Sequence, residues 1–260
     1  MFDFFAERRG YDLRAQAAAL AGEGDPGTVA RVRSDYRQTM DEMVLENLVE
    51  ELTEFSHDHG SLSRNQAHGS PGNLLDLYAA SDIPETEGTS ILRFKFATSA
   101  ANVTGKRLAS SESATWLGEH FTSTLADVRR AIDSFFLGGV NHIFYHGTAY
   151  SPEAEPWPGW LFYAAVHFTP ANPWWSDFAA LNHYVARAQS FLQAGRPDND
   201  VLLYFPVFDR FATPRSDLLE HFDGTVGPDA SSFGLSAETL LDRGYGFDFV
   251  SDRQLQNVEV

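Results

Sequence analysis

The amino-acid sequence predicts an α/β protein: part of a (β/α)8 TIM-type barrel, represented by its later strands and helices, followed by the start of a second α/β domain. Three observations carry this prediction. Short apolar strand-like runs alternate with helical patterns, these runs end in polar or charged side chains, and a Gly-Arg-Pro break at 195–197 precedes a new buried strand. Alternation of this kind is typical of a parallel sheet, and a β/α barrel delivers its functional side chains from strand carboxyl ends.

The elements follow from the spacing of apolar residues. Residues 31–57 keep a three-and-four apolar spacing, which predicts a long helix with one buried stripe. About five strand–helix units follow, fewer than the eight of a closed barrel. Strands are expected at 62–67, around Ile83 and at 107–112, 141–146 and 160–168, and helices at 72–80, 92–104, 125–137 and 176–194.

The break at 195–197 divides the chain into two predicted domains. Residues 1–196 would form the carboxyl-terminal part of a catalytic barrel, and residues 197–260 the truncated start of a Rossmann-like domain with strands at 200–206 and 247–250. The chain opens on an aromatic, helical segment, Met1–Arg9, without a preceding cap. We therefore expect its start to lie inside a longer protein.

Composition excludes several functional classes. The formal charge of −17 argues against nucleic acid and anionic membranes as partners, because both select lysine and arginine patches. The absence of cysteine excludes disulfides and thiolate metal sites. No apolar run approaches the roughly 20 residues of a membrane-spanning helix. The first residues lack the pattern of a signal peptide, and the compartment stays unknown.

Glu112 is the strongest candidate for a catalytic residue. It ends a strand of small residues, and Trp116 follows four positions later. Glycosidic bond hydrolysis needs two carboxyl groups across the scissile bond, and strand ends with acids and tryptophans favour sugar chemistry. A glutamate after Ser110-Ser111 could instead be a helix-start carboxylate that interacts with the helix dipole.

Glu85 and Glu87 form a second acidic candidate. They lie two residues apart, so an extended strand would point both side chains to one side. Two such carboxylates repel each other unless a cation or a pKa shift relieves the repulsion, and calcium would suit the pair. The alternative is two solvated loop acids.

Polar and aromatic side chains at the predicted strand ends could bind sugar hydroxyls and sugar faces. A zinc hydrolase built on the histidines is an alternative, although no His-Glu-x-x-His spacing supports it. Stoichiometric zinc by elemental analysis would be its signature. The candidate substrate-binding residues are Asn65, Gln66, His68, Trp116, His146 and His167.

Several long motifs resemble glycoside hydrolase family 106, the α-L-rhamnosidases, and the similarity runs nearly from end to end. The resemblance implies a catalytic β/α barrel followed by smaller domains. It implies an inverting, calcium-dependent hydrolysis of terminal L-rhamnose from plant glycosides or pectic polymers. The motifs are Arg64–Tyr78 leading into Asp82–Glu87, Ser111–Ser113 with Trp116–Phe121, Gly139–Gly147, and Phe191–Pro206.

The same resemblance assigns roles and leaves one gap. Glu112 matches the position of the catalytic base, and Glu85 and Glu87 would serve calcium or the sugar. The family's acid carboxylate belongs to an Asp-x-x-Glu segment ahead of the region similar to Phe4–Tyr11, and this sequence has no such segment there. The alternative is therefore a truncated, inactive fragment that binds carbohydrate without the general acid.

Overall fold

A computed structural model describes residues 1–115, 117–214, 217–219, 221–224 and 232–257. The first 58 residues are helical, and strands and helices alternate after them. The elements before the first sheet are α1 (Phe2–Arg9), a 3-10 turn (Leu13–Gln16), α2 (Ala17–Ala21), α3 (Pro26–Val44), a π-helical turn (Leu45–Val49) and α4 (Glu50–Asp58). The later elements are β1 (Arg64–Asn65), α5 (Leu74–Ala79), β2 (Ile83–Thr86), α6 (Ile91–Val103), β3 (Ser110–Ser113), α7 (Leu125–Leu137), β4 (His142–Tyr145), a 3-10 turn (Trp175–Asp177), α8 (Phe178–Ala194), β5 (Val201–Tyr204), α9 (Val207–Ala212), α10 (Ser232–Asp242), β6 (Phe247–Val250) and α11 (Asp252–Leu255).

Two parallel sheets organise the fold. The larger sheet has the order β1-β2-β3-β4, and each strand is joined to the next through a helix. The smaller sheet pairs β5 with β6, with Val201 opposite Phe247. The predicted α/β class with parallel strands is therefore confirmed. The described strands form an open four-stranded sheet, and the partial barrel stays a prediction.

One apolar core crosses the boundary predicted at 196/197. Leu77 and Phe96 from helices before the boundary share a cluster with Phe205, Phe247 and Phe249 from beyond it. All five side chains are buried. The smaller sheet thus packs on helices of the larger sheet, and the division into two domains stays a prediction.

Two elements differ from the sequence-based expectation. The long helix begins at Pro26, because the Asp25 side chain caps it by accepting a hydrogen bond from the Thr28 backbone. The predicted strand at 160–168 is wrong. Its backbone takes left-handed φ values of 54° at Ala164 and 64° at His167, which an extended strand cannot contain. Tertiary packing, and not strand pairing, buries residues 164–168, while residues 160–163 are exposed.

Among the described residues, no helix combines the length and hydropathy that crossing a bilayer would require.

Candidate active site

The carboxyl edge of the larger sheet gathers the predicted acids and imidazoles. Parallel pairing sets Glu85 opposite Ser110 and Glu112 opposite Phe144. Glu87 follows the end of β2 by one residue, and His146 directly follows β4. Since carboxyl ends of parallel strands meet at one edge, the pairing brings residues from four chain segments into one place.

Glu112 lies at the centre of this edge and is partly exposed, with 27% of its side-chain surface accessible. Its Oε1 accepts a hydrogen bond of 2.7 Å from Thr115 Oγ1 and lies 3.8 Å from His146 Nε2. Ala114, with φ of 72°, turns the chain immediately after β3, so that Thr115 reaches back to the carboxylate. A carboxylate that is oriented and still reachable can accept a proton from a bound molecule.

Glu87 is held by two nitrogen groups. Its Oε1 lies 3.1 Å from His68 Nε2 and 3.2 Å from Arg93 Nη2. The hydrogen bond from His68 is the largest cause that lowers the pKa of the Glu87 carboxyl, and the charges of His68 and Arg93 act in the same direction. Glu87 is therefore an ionised anchor at neutral pH.

Glu85 lies on β2, two residues before Glu87, and the pKa of its carboxyl shifts in the opposite direction. Its Oε2 accepts a hydrogen bond of 2.9 Å from Ser110 Oγ and lies 3.2 Å from Arg64 Nη1. Burial is the main cause that raises the pKa of the Glu85 carboxyl, and the negative charge of Glu112 adds to it. Burial therefore favours the protonated form of Glu85, whereas the neighbouring nitrogen groups favour the ionised form of Glu87.

Four buried polar atoms around this edge have no hydrogen-bond partner among the described residues. Gln66 and His68 lie on the segment after β1, Thr86 ends β2, and His146 follows β4. Buried polar atoms without partners are uncommon in folded proteins and mark places where a ligand or water completes the hydrogen bonds. The atoms are Gln66 Nε2, His68 Nδ1, Thr86 Oγ1 and His146 Nδ1.

The remaining predicted site residues lie in different places. Asn65 is the last residue of β1, at the same edge as Gln66. His167 is buried in a neighbouring cluster, where its Nε2 lies 3.0 Å from His120 Nδ1 and its ring stacks on Phe121. The described side-chain contacts of His167 include none of the three carboxylates, although the adjacent Phe168 backbone donates to Gly147, next to His146, at 3.2 Å. Trp116 lies outside the described residues.

Three residues that the sequence did not single out complete the site: Arg64, Arg93 and Thr115. Arg64 pairs with Glu85 and covers the ring of Phe144 at 3.7 Å, and Arg93 and Thr115 bind carboxylates as described above. Thr115 follows Glu112 by three positions, so a search for polar neighbours could have found it. The arginines carry no comparable local signal.

The contacts around Glu85 and Glu87 do not fit a calcium ion between them. Calcium takes six to eight oxygen ligands, roughly 2.3–2.6 Å away. Here arginine or histidine nitrogens approach both carboxylates. Across the part of the chain that the structure describes, no three acidic or histidine side chains are arranged to hold a metal ion. Calcium therefore stays an untested prediction, and the zinc alternative gains no support from the described histidines.

Comparison with known proteins assigns the family. A solved rhamnosidase from Novosphingobium sp. PP1Y matches 98% of this chain with a TM-score of 0.69 at 20% identity, and the chain spans 24% of that protein. A curated protein of Formosa agariphila named "Putative beta-glucuronidase" is 27% identical over 214 residues, and the match spans 18% of its length. The family model described as alpha-L-rhamnosidase matches residues 1–214. The chain therefore belongs to the alpha-L-rhamnosidase family, glycoside hydrolase family 106.

Proposed function

We propose that this chain supplies the general base of an inverting glycosidase that releases terminal α-L-rhamnosyl residues from plant glycosides or pectic polysaccharide. The observation that carries the proposal is the position of Glu112: partly exposed, oriented by Thr115, and beside His146 at the carboxyl edge of a parallel sheet. Family membership supports carbohydrate as the substrate class.

In an inverting reaction, a carboxylate takes a proton from water while that water attacks the anomeric carbon. A second carboxyl group protonates the leaving oxygen from the opposite face, roughly 6.5–9.5 Å away. Glu112 suits the first role, because its hydrogen bond from Thr115 fixes the carboxylate and leaves part of it accessible. We expect the proton donor to belong to the Asp-x-x-Glu segment that the family resemblance implies ahead of the region similar to Phe4–Tyr11.

The polar atoms around Glu112 suit a neutral sugar with several hydroxyl groups. Gln66 Nε2 can donate a hydrogen bond, and Thr86 Oγ1 can donate or accept one. Because His68 Nε2 donates to Glu87, the neutral His68 ring leaves its Nδ1 as an acceptor, whereas the Nδ1 of His146 can donate or accept, depending on the tautomer. The ion pairs of Glu85 and Glu87 hold β2 and the His68 segment in position around them.

The test uses a longer protein that includes the predicted Asp-x-x-Glu segment. Glu112→Gln keeps the shape of the side chain and removes its ability to take a proton, so turnover of an aryl α-L-rhamnoside should fall by about 10²–10⁴. The matched control is Glu119→Gln, because the Glu119 side chain is exposed and pairs with His120 outside the edge. Near-normal rhamnose release by the Glu112 variant would reject the role.

A second candidate is a carbohydrate-binding fragment without catalysis. It is favoured by one observation: Glu85 and Glu87 are each paired with cationic groups, so neither is a free proton donor beside Glu112. The chain itself should then bind L-rhamnose by calorimetry and release none from the aryl rhamnoside, with or without a calcium chelator. Turnover by this chain would contradict the second candidate. If a calcium chelator abolished that turnover, the result would support the predicted calcium site.

A further inference from the structure

A second cleft lies at the opposite, amino-terminal edge of the larger sheet. Its volume is about 470 Å³, a size typical of small-molecule sites. The turn between α6 and β3 contributes Lys106 and Arg107, the segment before β4 contributes Asn141, and the end of α8 contributes Gln193 and Arg196. The length of the strands separates this cleft from Glu112.

The charge of this cleft is opposite to that of the chain. The chain holds 36 acidic and 19 basic residues in 260. If the residues that line the cleft had this average composition, they would include about two carboxylates and one cation. The cleft is lined instead by three cations, Lys106, Arg107 and Arg196, and by no described carboxylate. Arg107 and Arg196 are exposed and Lys106 is half-buried, so water screens part of their mutual repulsion and an anion bound in the cleft would offset the rest.

The charges of these three cations are not neutralised by ion pairs with the described residues. None of them forms a salt bridge with a described carboxylate. Asp82 is the carboxylate whose charge acts on Lys106, and Asp82 is itself held by His57 at 2.9 Å. Burial lowers the pKa of Lys106, which agrees with an ammonium group that has lost water without gaining a full partner.

Compensation of helix dipoles is an ordinary role for such cations, since Lys106 follows α6 and Arg196 follows α8. That role explains one cation at each helix end. It does not explain Arg107, nor the amide groups beside the cations. Gln193 Nε2 donates to the Asn141 backbone oxygen at 2.6 Å, and Asn102 Nδ2 donates to Asp248 at 3.0 Å, so both amide groups are held in position beside the cations.

We infer that this cleft binds an anionic sugar, a monosaccharide unit that carries a carboxylate or a phosphate. The guanidinium groups of Arg107 and Arg196 with the Lys106 ammonium suit the anionic group, and guanidinium forks pair well with carboxylate and phosphate oxygens. The amide oxygens suit the sugar hydroxyls. The cleft is also larger than a bare inorganic anion requires.

The test is calorimetric titration of the chain with D-galacturonate, glucose 6-phosphate, inorganic phosphate and neutral D-galactose. Saturable binding of galacturonate or the sugar phosphate, weakened by salt, is expected, and the tighter of the two identifies the anionic group. Arg107→Ala and Lys106→Ala should each weaken that binding by about tenfold, the usual loss for a charge-assisted hydrogen bond. Circular dichroism checks that both variants fold.

Arg243→Ala is the matched control, because Arg243 is exposed and lies outside the cleft. Equal weakening by Arg243→Ala, galactose binding as tight as that of the acidic sugars, or no saturable binding would overturn the inference. Inorganic phosphate binding as tightly as both sugars would overturn the assignment to a sugar. Glu112→Gln should leave this binding unchanged, so the cleft and the proposed catalytic role succeed or fail independently.

Discussion

The two parallel sheets differ in what they bury. In the smaller sheet, all four residues of β6 are buried, and Phe249 packs against the rings of Phe96 and Phe233. In the larger sheet, β3 reads Ser-Ser-Glu-Ser, with its three serines buried and its glutamate partly exposed. Apolar rings leave no polar atom to satisfy, whereas small hydroxyl residues leave room for charged neighbours.

The buried polar groups of the two sheets sharpen this difference. Asp248 on β6 has three partners: Asn199 Nδ2 at 2.7 Å, Asn102 Nδ2 at 3.0 Å and Lys95 Nζ at 3.4 Å. At the edge of the larger sheet, His68 and His146 each keep a buried ring nitrogen without a partner. Satisfied buried polar groups are typical of structure, and unsatisfied ones indicate a place for a ligand. The smaller sheet is therefore expected to contribute mainly to stability, and the larger one carries the proposed binding site.

The largest expected effect is on the core of the smaller sheet. Phe249→Ala removes a fully buried ring that lies 4.8 Å from the ring of Phe96 and 4.9 Å from that of Phe233. Loss of apolar burial together with the cavity left behind should reduce the free energy of unfolding by about 3–5 kcal/mol. Urea denaturation measures the change. Tyr245→Ala, at an exposed side chain, is the control and should change it little. A loss under about 1 kcal/mol for Phe249→Ala would contradict the stability role.

A pH-dependent effect is expected from a buried acid that belongs to neither sheet. Burial raises the pKa of Asp41 on α3 from 3.8 to about 6, and the charges of Asp76 and Glu42 add to it, while Arg253 opposes them. An acid with a raised folded-state pKa is most favourable when protonated, so its contribution to stability is present below pH 3.8 and falls as the pH rises to about 6.

Asp41→Asn tests this pH dependence. An asparagine oxygen can still accept the hydrogen bond of 2.6 Å from the Asn73 backbone, and it carries no charge. Above pH 6 the variant should be more stable than the parent, by up to about 3 kcal/mol, and the difference should shrink toward pH 4. Urea midpoints over this pH range measure it, with exposed Asp198→Asn as the control. Destabilisation at pH 7.5 would show that the ionised carboxylate is needed.

A smaller effect is expected at the binding edge. The pKa of Glu87 is lowered, so its ion pair stabilises the fold above the ordinary value of 4.5, and this contribution disappears as the pH falls through the lowered pKa. Glu87→Gln should flatten the dependence of stability on pH in that acidic range, by roughly 1 kcal/mol. Urea denaturation between pH 3 and 6 measures it, with exposed Glu153→Gln as the control. An unchanged slope would mean that the contact with His68 contributes nothing to stability.

Local sequence patterns predicted the elements that carry the site. Helix α7 at 125–137 and strand β6 at 247–250 have the predicted bounds, whereas β3 covers Ser110–Ser113 instead of 107–112, so that Glu112 is its penultimate residue. The prediction that acids and imidazoles gather at one edge holds for Glu112, Glu87 and His146, because alternation of strand and helix forces parallel pairing. The error was local too: residues 160–168 are apolar without being a strand, and His167, which contacts His120, stays a predicted substrate-binding residue.

The sequence by itself determined the α/β class, the parallel order of short strands and the candidate base, since each depends on spacing along the chain. Only the tertiary structure decided which cations neutralise which carboxylates, where the basic cleft forms, and that the segment after residue 197 packs on α6. These features depend on contacts between residues far apart in the chain. Local spacing cannot encode a distance that exists only after the helices have packed on the sheets.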